Sequence, residues 1–266
     1  MINQNYDYNE KLINHYLSGK SYGEENRSKI DQAHSIEFIT TMHFLSKHLP
    51  KGCAVLDCCA AGGVYAFPLA KAGYKVTAGD LIQRHVDILN SQNKENWLEC
   101  VYQGNVLDMS RFANETFDAV LCMGAVYHLM ERENRESCVE ECLRVLKNNG
   151  IFVFAYINRN AVYINHFNNN IPSGQREETL KTGVNGVFYT MDFNEQQELA
   201  DKFPLIKITD IGVDGLIYPL RERLNESTPE EFSAYMEYHL ATCEQPSILG
   251  HSMHGLWIGK KINIKR

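Results

Sequence analysis

The chain has 266 residues, of which 44% are hydrophobic and 22% charged, enough for one large α/β domain with a substantial core. Its net charge of −7, from 26 basic and 33 acidic residues, disfavours a long polyanion, so no nucleic-acid partner is expected. No run approaches the roughly 20 apolar residues that span a bilayer, and the polar opening MINQNYDYNEKL lacks the apolar stretch of a signal peptide, which predicts a cytoplasmic protein with no membrane partner.

The first fifty residues read as helices. Ile36, Ile39, His43, Phe44 and Leu45 recur at roughly helical spacing, and Pro50 and Gly52 end the run. Strand and helix then alternate. Ala54–Asp57 is a short apolar strand, followed by a Gly-containing turn and a helix through Ala72 that Gly73 ends. Lys75–Ala78 is a strand closing on Gly79-Asp80, and a helix covers about Gln83–Gln92. Leu98–Tyr102 and the nearly continuous apolar run Phe117–Met123 are strands. Arg132–Lys147 is a helix broken by Asn148-Asn149-Gly150, and Ile151–Tyr156 is a fifth strand. Such alternation implies right-handed βαβ units and a parallel sheet covered on both faces.

Residues 158–190 break that rhythm. They are rich in Asn and contain Pro172, Gly174, Gly183 and Gly186, as expected of an inserted cap or mobile loop over the site. A helix resumes over 192–203. Thr228-Pro229-Glu230-Glu231 marks another helix start, with Thr228 as N-cap, Pro229 at the first helical position and Glu231 closing a capping box. Ser252–Ile258 is a candidate last strand. The domain reading is a helical lid over 1–50, a Rossmann-like core over 51–157, a cap over 158–190, and completion of the α/β domain over 191–266.

Open α/β sheets bind ligands beyond the carboxyl ends of their strands, and three such ends carry informative residues. The first reads Asp57-Cys58-Cys59-Ala60-Ala61-Gly62-Gly63, an acid followed by small residues that let backbone approach a ligand. The second ends in Asp80, whose carboxylate can accept both hydroxyls of a ribose. The third is Gln103-Gly104-Asn105-Val106, where the Asn105 amide can accept from an adenine amino group. Together they suit an adenosine with a zwitterionic amino-acid tail. Neither the dinucleotide fingerprint GxGxxG nor a P-loop is present.

VLDCCAAGG, VTAGDL, QGNVLDM, FDAVLCMGAVYHL and LRVLKNNGIFVF stand in order over about residues 53–157. In that order they resemble the motifs of class I S-adenosylmethionine-dependent methyltransferases. The C-terminal YHLATCEQPSILGHSMHGLWI resembles a group of bacterial small-molecule methyltransferases more weakly. The resemblance implies a seven-stranded sheet with its last strand antiparallel and S-adenosylmethionine as cofactor. It implies in-line displacement at the sulfonium methyl and a small-molecule acceptor. Cofactor contacts are then expected from Asp57, Cys59, Ala60, Ala61, Gly63, Asp80, Leu81, Gly104, Asn105, Val106 and Met123, with Tyr22 and Arg27 closing over the methionine carboxylate. Tyr127 and His128, after the fourth strand, are the candidate catalytic residues, His128 as base because an imidazole titrates near neutral pH.

One departure stands out. Cys59 and Ala61 occupy positions where the family's first motif has glycine, so their Cβ atoms are expected to crowd the cofactor or to resist a positive φ. That leaves open a non-catalytic protein that binds S-adenosylmethionine or S-adenosylhomocysteine (SAH). A nicotinamide-dependent oxidoreductase is the third alternative. His251 and His254 are expected on the surface or in the core, since a spacing of three does not place both on one side of a strand. The eight cysteines, at 53, 58, 59, 100, 122, 138, 142 and 243, are expected to be free thiols. They lack CxxC or zinc-finger spacing, so packing is expected of them and no metal.

Overall fold

The computed structural model describes residues 2–17 and 30–263. Tyr22 and Arg27 lie outside the described residues. Two helices lead the chain, α1 (Ile2–Leu17) and α2 (Gln32–His48). Asp31 caps α2 by accepting from His34 N at 2.8 Å. The face that α2 buries is Ala33, Ile36, Thr40, Thr41, Phe44 and Leu45, while Ile39 and His43 face outward. Two of the residues whose spacing predicts the helix are therefore not part of its core stripe.

The alternating region folds as β1 (Ala54–Asp57), α3 (Ala66–Lys71), β2 (Lys75–Asp80), α4 (Gln83–Gln92), β3 (Cys100–Gln103), β4 (Phe117–Cys122), α5 (Arg132–Val145) and β5 (Leu146–Asn158). Strands β3-β2-β1-β4-β5 are neighbours in that order and all parallel. The helix expected to run to Lys147 stops at Val145 because Leu146 pairs with Phe117 of β4. Beyond the core come α6 (Arg159–Asn168), α7 (Ser173–Thr182), the short β6 (Val184–Asn185) and β7 (Phe188–Met191), then α8 (Phe193–Asp201), β8 (Leu205–Gly212), α9 (Ile217–Asn225), α10 (Pro229–Thr242), α11 (Pro246–Leu249) and β9 (His254–Lys261). The capping box predicted at Thr228 and Glu231 is formed at the start of α10.

The last strand is antiparallel. β9 lies between β5 and β8 and runs against both, which completes a seven-strand sheet ordered β3-β2-β1-β4-β5-β9-β8. Residues 158–190 hold two helices and the antiparallel β6–β7 hairpin. The hairpin joins the end of β5, where Ile157 and Asn158 pair with Thr190 and Met191. Ile157 also pairs with His254 on its other side. The hairpin therefore extends the β4 edge past the end of β4.

Alternation along the strands sorts two cores. Leu56, Val120, Cys122, Phe152, Phe154 and Trp257 pack on one face, with α5. Val55, Leu121, Val153 and Ile258 pack on the other, with Phe44 and Leu45 of α2. Both faces are buried, as a parallel sheet requires. Burial of this kind is worth roughly 1.5–3 kcal/mol for each fully covered large side chain. It holds the strand ends rigid enough to carry a site.

Candidate functional site

A cleft of about 1390 Å³, open mouth included, lies over the carboxyl ends of β1 to β4. This is where strand order reverses between β1 and β4, the usual ligand position in such sheets. Its floor is the loop after β1. Cys58 N donates to Leu121 O at 3.1 Å and Ala60 N to Gly79 O at 2.9 Å, tying the loop to both neighbouring strands. Ala61 N donates to Asp80 Oδ2 at 2.9 Å, and Ile82 N donates to Asp80 Oδ1 at 2.9 Å. Asp80 thus braces two turns at once. His85 Nδ1 lies 3.1 Å from Asp80 Oδ1.

The two non-glycine residues of that loop are housed differently. Cys59 fits because its neighbour across the cleft is Gly124, where a Cβ would stand 2.8 Å from Cys59 Cβ. Ala61 takes φ +44, a conformation an alanine adopts at a cost of roughly 1–2 kcal/mol. Ala61→Gly is expected to raise the melting temperature, with a net gain of about 0.5–1 kcal/mol after glycine's larger unfolded-state entropy. A fall would mean that the Ala61 methyl contributes more by packing than its backbone costs. Gly63 has φ +85, and a Cβ there would meet Phe67 and Leu89 within 3 Å. That glycine is needed for the turn and does not line the cleft.

Cys59, Ala60, Ala61, Asp80, Leu81, Gly104, Asn105, Val106, Met123, Tyr127 and His128 all line the cleft. Asn105 Oδ1 accepts from Leu107 N at 3.0 Å, so a local turn orients its amide. Asp57 lies beneath the wall, 1% exposed, and its Oδ1 is buried with no hydrogen-bond partner. Burial pushes its carboxyl up to about 7; a backbone hydrogen bond from Cys59 pulls it down, and the nearby Asp80 adds to the rise. The unfolded chain gives up this proton near 3.8 while the fold keeps it. The contribution to stability is therefore present at low pH, is lost as pH rises from about 4 to 7, and stays lost above. Asp57→Asn should give a melting temperature that varies less over that window and is higher at about pH 8. An unchanged slope would mean that Asp57 is already ionised in the fold.

The loop after β4 forms a short 3-10 turn, Val126–His128. Arg135 fixes it from α5 by donating Nη1 to the carbonyls of Leu129 and Met130, both at 2.7 Å. Tyr127 OH donates to Met123 O at 3.0 Å. His128 is buried, with Nδ1 2.9 Å from Val187 O and Nε2 2.8 Å from Tyr16 OH. A carbonyl partner makes Nδ1 the donor, so Nε2 accepts from the Tyr16 hydroxyl. Burial pushes the imidazole down to about 4, leaving it neutral at pH 7 and weakly basic.

Several lining residues carry no motif in the sequence. Leu12 and Tyr16 come from α1, and His34, Glu37, Phe38 and Thr41 from α2. His254 also lines the cleft, against the expectation of surface or core. Its Nδ1 stands 2.6 Å from Asp214 Oδ2, and its backbone N donates to the same carboxylate. Asp214 is fully buried and accepts from Ser252 Oγ as well. Donation from Nδ1 to a carboxylate makes Nε2 the basic nitrogen of His254. The order Asp214…His254 had no local signal, because 40 residues separate the pair.

A second cavity opens beside the cleft and shares Tyr16, Tyr127 and His254 with it. Its remaining lining is Ile157, Val162, Asn185, Phe188 and Met253, mostly apolar and partly supplied by α6 and the β6–β7 hairpin. Among the described residues no helix is long and apolar enough to cross a membrane.

Residues 56–154 match the family described as a methyltransferase domain. A ubiquinone biosynthesis O-methyltransferase from Rickettsia canadensis is 30% identical over 105 residues, 40% of this chain and 43% of that protein. The chain thus spans less than half of that curated relative. Among solved structures, the PH0226 protein from Pyrococcus horikoshii OT3 superposes with a TM-score of 0.58 at 16% identity, covering 86% of this chain and 91% of the other. The [4+2]-cyclase SpnF superposes with a TM-score of 0.56 at 17% identity over 85% and 81%. These two likenesses are of fold.

Proposed function

We propose that the chain, whose residues 56–154 match the methyltransferase-domain family, uses S-adenosylmethionine to transfer a methyl group to a small-molecule acceptor held between the cleft and its side cavity. The observation that carries this is the join of the two spaces at Tyr127 and His254. One space is rimmed by the ribose-type acceptor Asp80, and the other is walled by Ile157, Val162, Phe188 and Met253.

The residues fit the cofactor. Asp80 offers a buried carboxylate at the end of β2, and Gly104 to Val106 border the place for a planar base. Asp57, buried beneath the wall with an unpartnered Oδ1, would be drawn to its ionised form by a cationic ligand group nearby, offsetting the burial that otherwise keeps it protonated. When bound, S-adenosylmethionine supplies an electrophilic methyl with a good leaving group. The chain's own work is then alignment and exclusion of water, worth up to ~7–11 kcal/mol in favourable cases.

His254 is our candidate base. Asp214 sets its tautomer, and its Nε2 takes the proton of an acceptor hydroxyl or amine seated in the side cavity. Tyr127 lines both spaces and orients the acceptor. His128 anchors Tyr16 of α1 over the cleft, with Nε2 as the weaker alternative base. Helices α1 and α2 act as the lid and residues 158–190 as the cap, through Tyr16 on one side and Val162, Asn185 and Phe188 on the other. An apolar acceptor with one ionisable group suits this lining, and a cytoplasmic setting suits eight unpaired cysteines.

A screen of phenols, alcohols, thiols, amines and carboxylates, read by SAH release, tests the reading. Turnover is expected with an acceptor of apolar body. Tight SAH binding with no turnover on any acceptor class would favour the non-catalytic alternative. Binding of NAD in preference to SAH would overturn the cofactor site.

A further inference from the structure

Five of the eight cysteines converge on one spot behind the cleft floor. Cys58 and Cys59 follow β1, Cys122 ends β4, and Cys138 and Cys142 stand one helical turn apart on α5. They form two triads, Cys58/Cys59/Cys122 and Cys122/Cys138/Cys142, whose sulfurs within each triad all lie within 4.8 Å of one another. Cys122 belongs to both. Its Sγ is 3.5 Å from that of Cys138.

The second triad has the spacing a metal needs. Bonds of about 2.3 Å in trigonal or tetrahedral geometry place sulfurs roughly 3.8–4.0 Å apart. The Cys122 and Cys138 sulfurs stand 3.5 Å apart and all three lie within 4.8 Å of one another, so small side-chain shifts bring them to that spacing. The i, i+4 pair on α5 points one way because residues four apart share a helix face. Cys122, Cys138 and Cys142 are fully buried in an otherwise apolar core, where thiolates select soft ions over hard ones. Cys59 is half-buried and lines the cleft, so the cluster has an edge at which an ion can enter.

We propose that Cys122, Cys138 and Cys142 form a binding site for a soft, thiophilic metal ion of the zinc or copper(I) class. Coordination converts thiols to thiolates, and each displaced proton leaves to solvent by way of the cleft. A bound ion would clamp α5 to the end of β4, directly under the cofactor loop. It would thereby raise thermal stability. The inference is independent of the methyl-transfer reading and needs no acceptor.

Cadmium(II) is the probe. The reduced, metal-free full chain should develop a sulfur-to-cadmium charge-transfer band that saturates at roughly one ion per chain. The band should survive gel filtration and be accompanied by a higher melting temperature. Alkylation with mass-spectrometric mapping should find Cys122, Cys138 and Cys142 protected by the ion. Cys138→Ala with Cys142→Ala should abolish the band, and Cys100→Ala, at an exposed position outside the cluster, should keep it. If the double variant does not fold, the alkylation map of the unaltered chain decides. No band, a band retained in the folded double variant, or protection at other cysteines overturns the site and leaves the five thiols as core packing.

Discussion

Replacing His254 with alanine is expected to lower methyl-transfer turnover by ~10²–10⁴-fold, the usual worth of a positioned general base, while SAH affinity stays essentially unchanged. The expectation applies to an acceptor whose proton must leave. It rests on Asp214, fully buried and 2.6 Å from Nδ1, which makes the other ring nitrogen the base. Asp214→Asn should lower turnover as well, because a carboxamide no longer holds the imidazolium that forms. It should also cost stability, since Ser252 Oγ and His254 N lose a charged acceptor. His128→Ala is the discriminating control. His128 is pushed down to about 4 and holds the Tyr16 hydroxyl. Its loss should loosen α1 and raise KM more than it lowers kcat. A large loss of kcat in His128→Ala with near-full kcat in His254→Ala would reverse the assignment.

Asp80→Ala should weaken SAH binding by roughly 10- to 150-fold, the range for losing charge-assisted hydrogen bonds worth ~1.5–3 kcal/mol. The upper end is expected, because Asp80 also accepts from Ala61 N and Ile82 N. Removing the carboxylate strands two backbone donors and frees the loop that carries the cleft floor. Asp80→Asn keeps one acceptor and should fall between. Calorimetry with SAH reads both variants, and circular dichroism checks that they remain folded. Unchanged SAH affinity in folded Asp80→Ala would remove Asp80 from the cofactor site.

Both expectations depend on features of different range in the chain. Asp80 was legible as a residue. An apolar strand, Val76-Thr77-Ala78, ends at Gly79-Asp80, which marks a carboxylate at a strand end, though not the two turns it braces. The alternation of strands and helices through β5, the Gly73 stop and the Thr228 capping box were legible for the same reason: each is written in periodicity or turn chemistry among residues a few positions apart. The antiparallel last strand was implied only by the family resemblance, and the strand order came from the tertiary structure.

The rest was decided by packing. Ile39 and His43 share helical spacing with Ile36 and Phe44, yet they face outward. Which residues of an amphipathic run meet the sheet depends on the angle at which the helix docks. Cys59 is accommodated only because Gly124 comes opposite it, 65 residues later in the chain. Ala61, by contrast, does take a positive φ. Sequence spacing predicts no metal ligands among the cysteines, because ligand signatures are local. The sulfurs meet through three separate elements, the β1 loop, the end of β4 and one face of α5. His254 reads as an ordinary strand residue until β9 inserts between β5 and β8 and brings it against Asp214. Local sequence sets the elements and the residues at their ends, because neighbouring side chains alone decide φ, ψ and amphipathic phase. Convergence of side chains from distant elements follows from the common packing of the sheet, which no short window of sequence encodes.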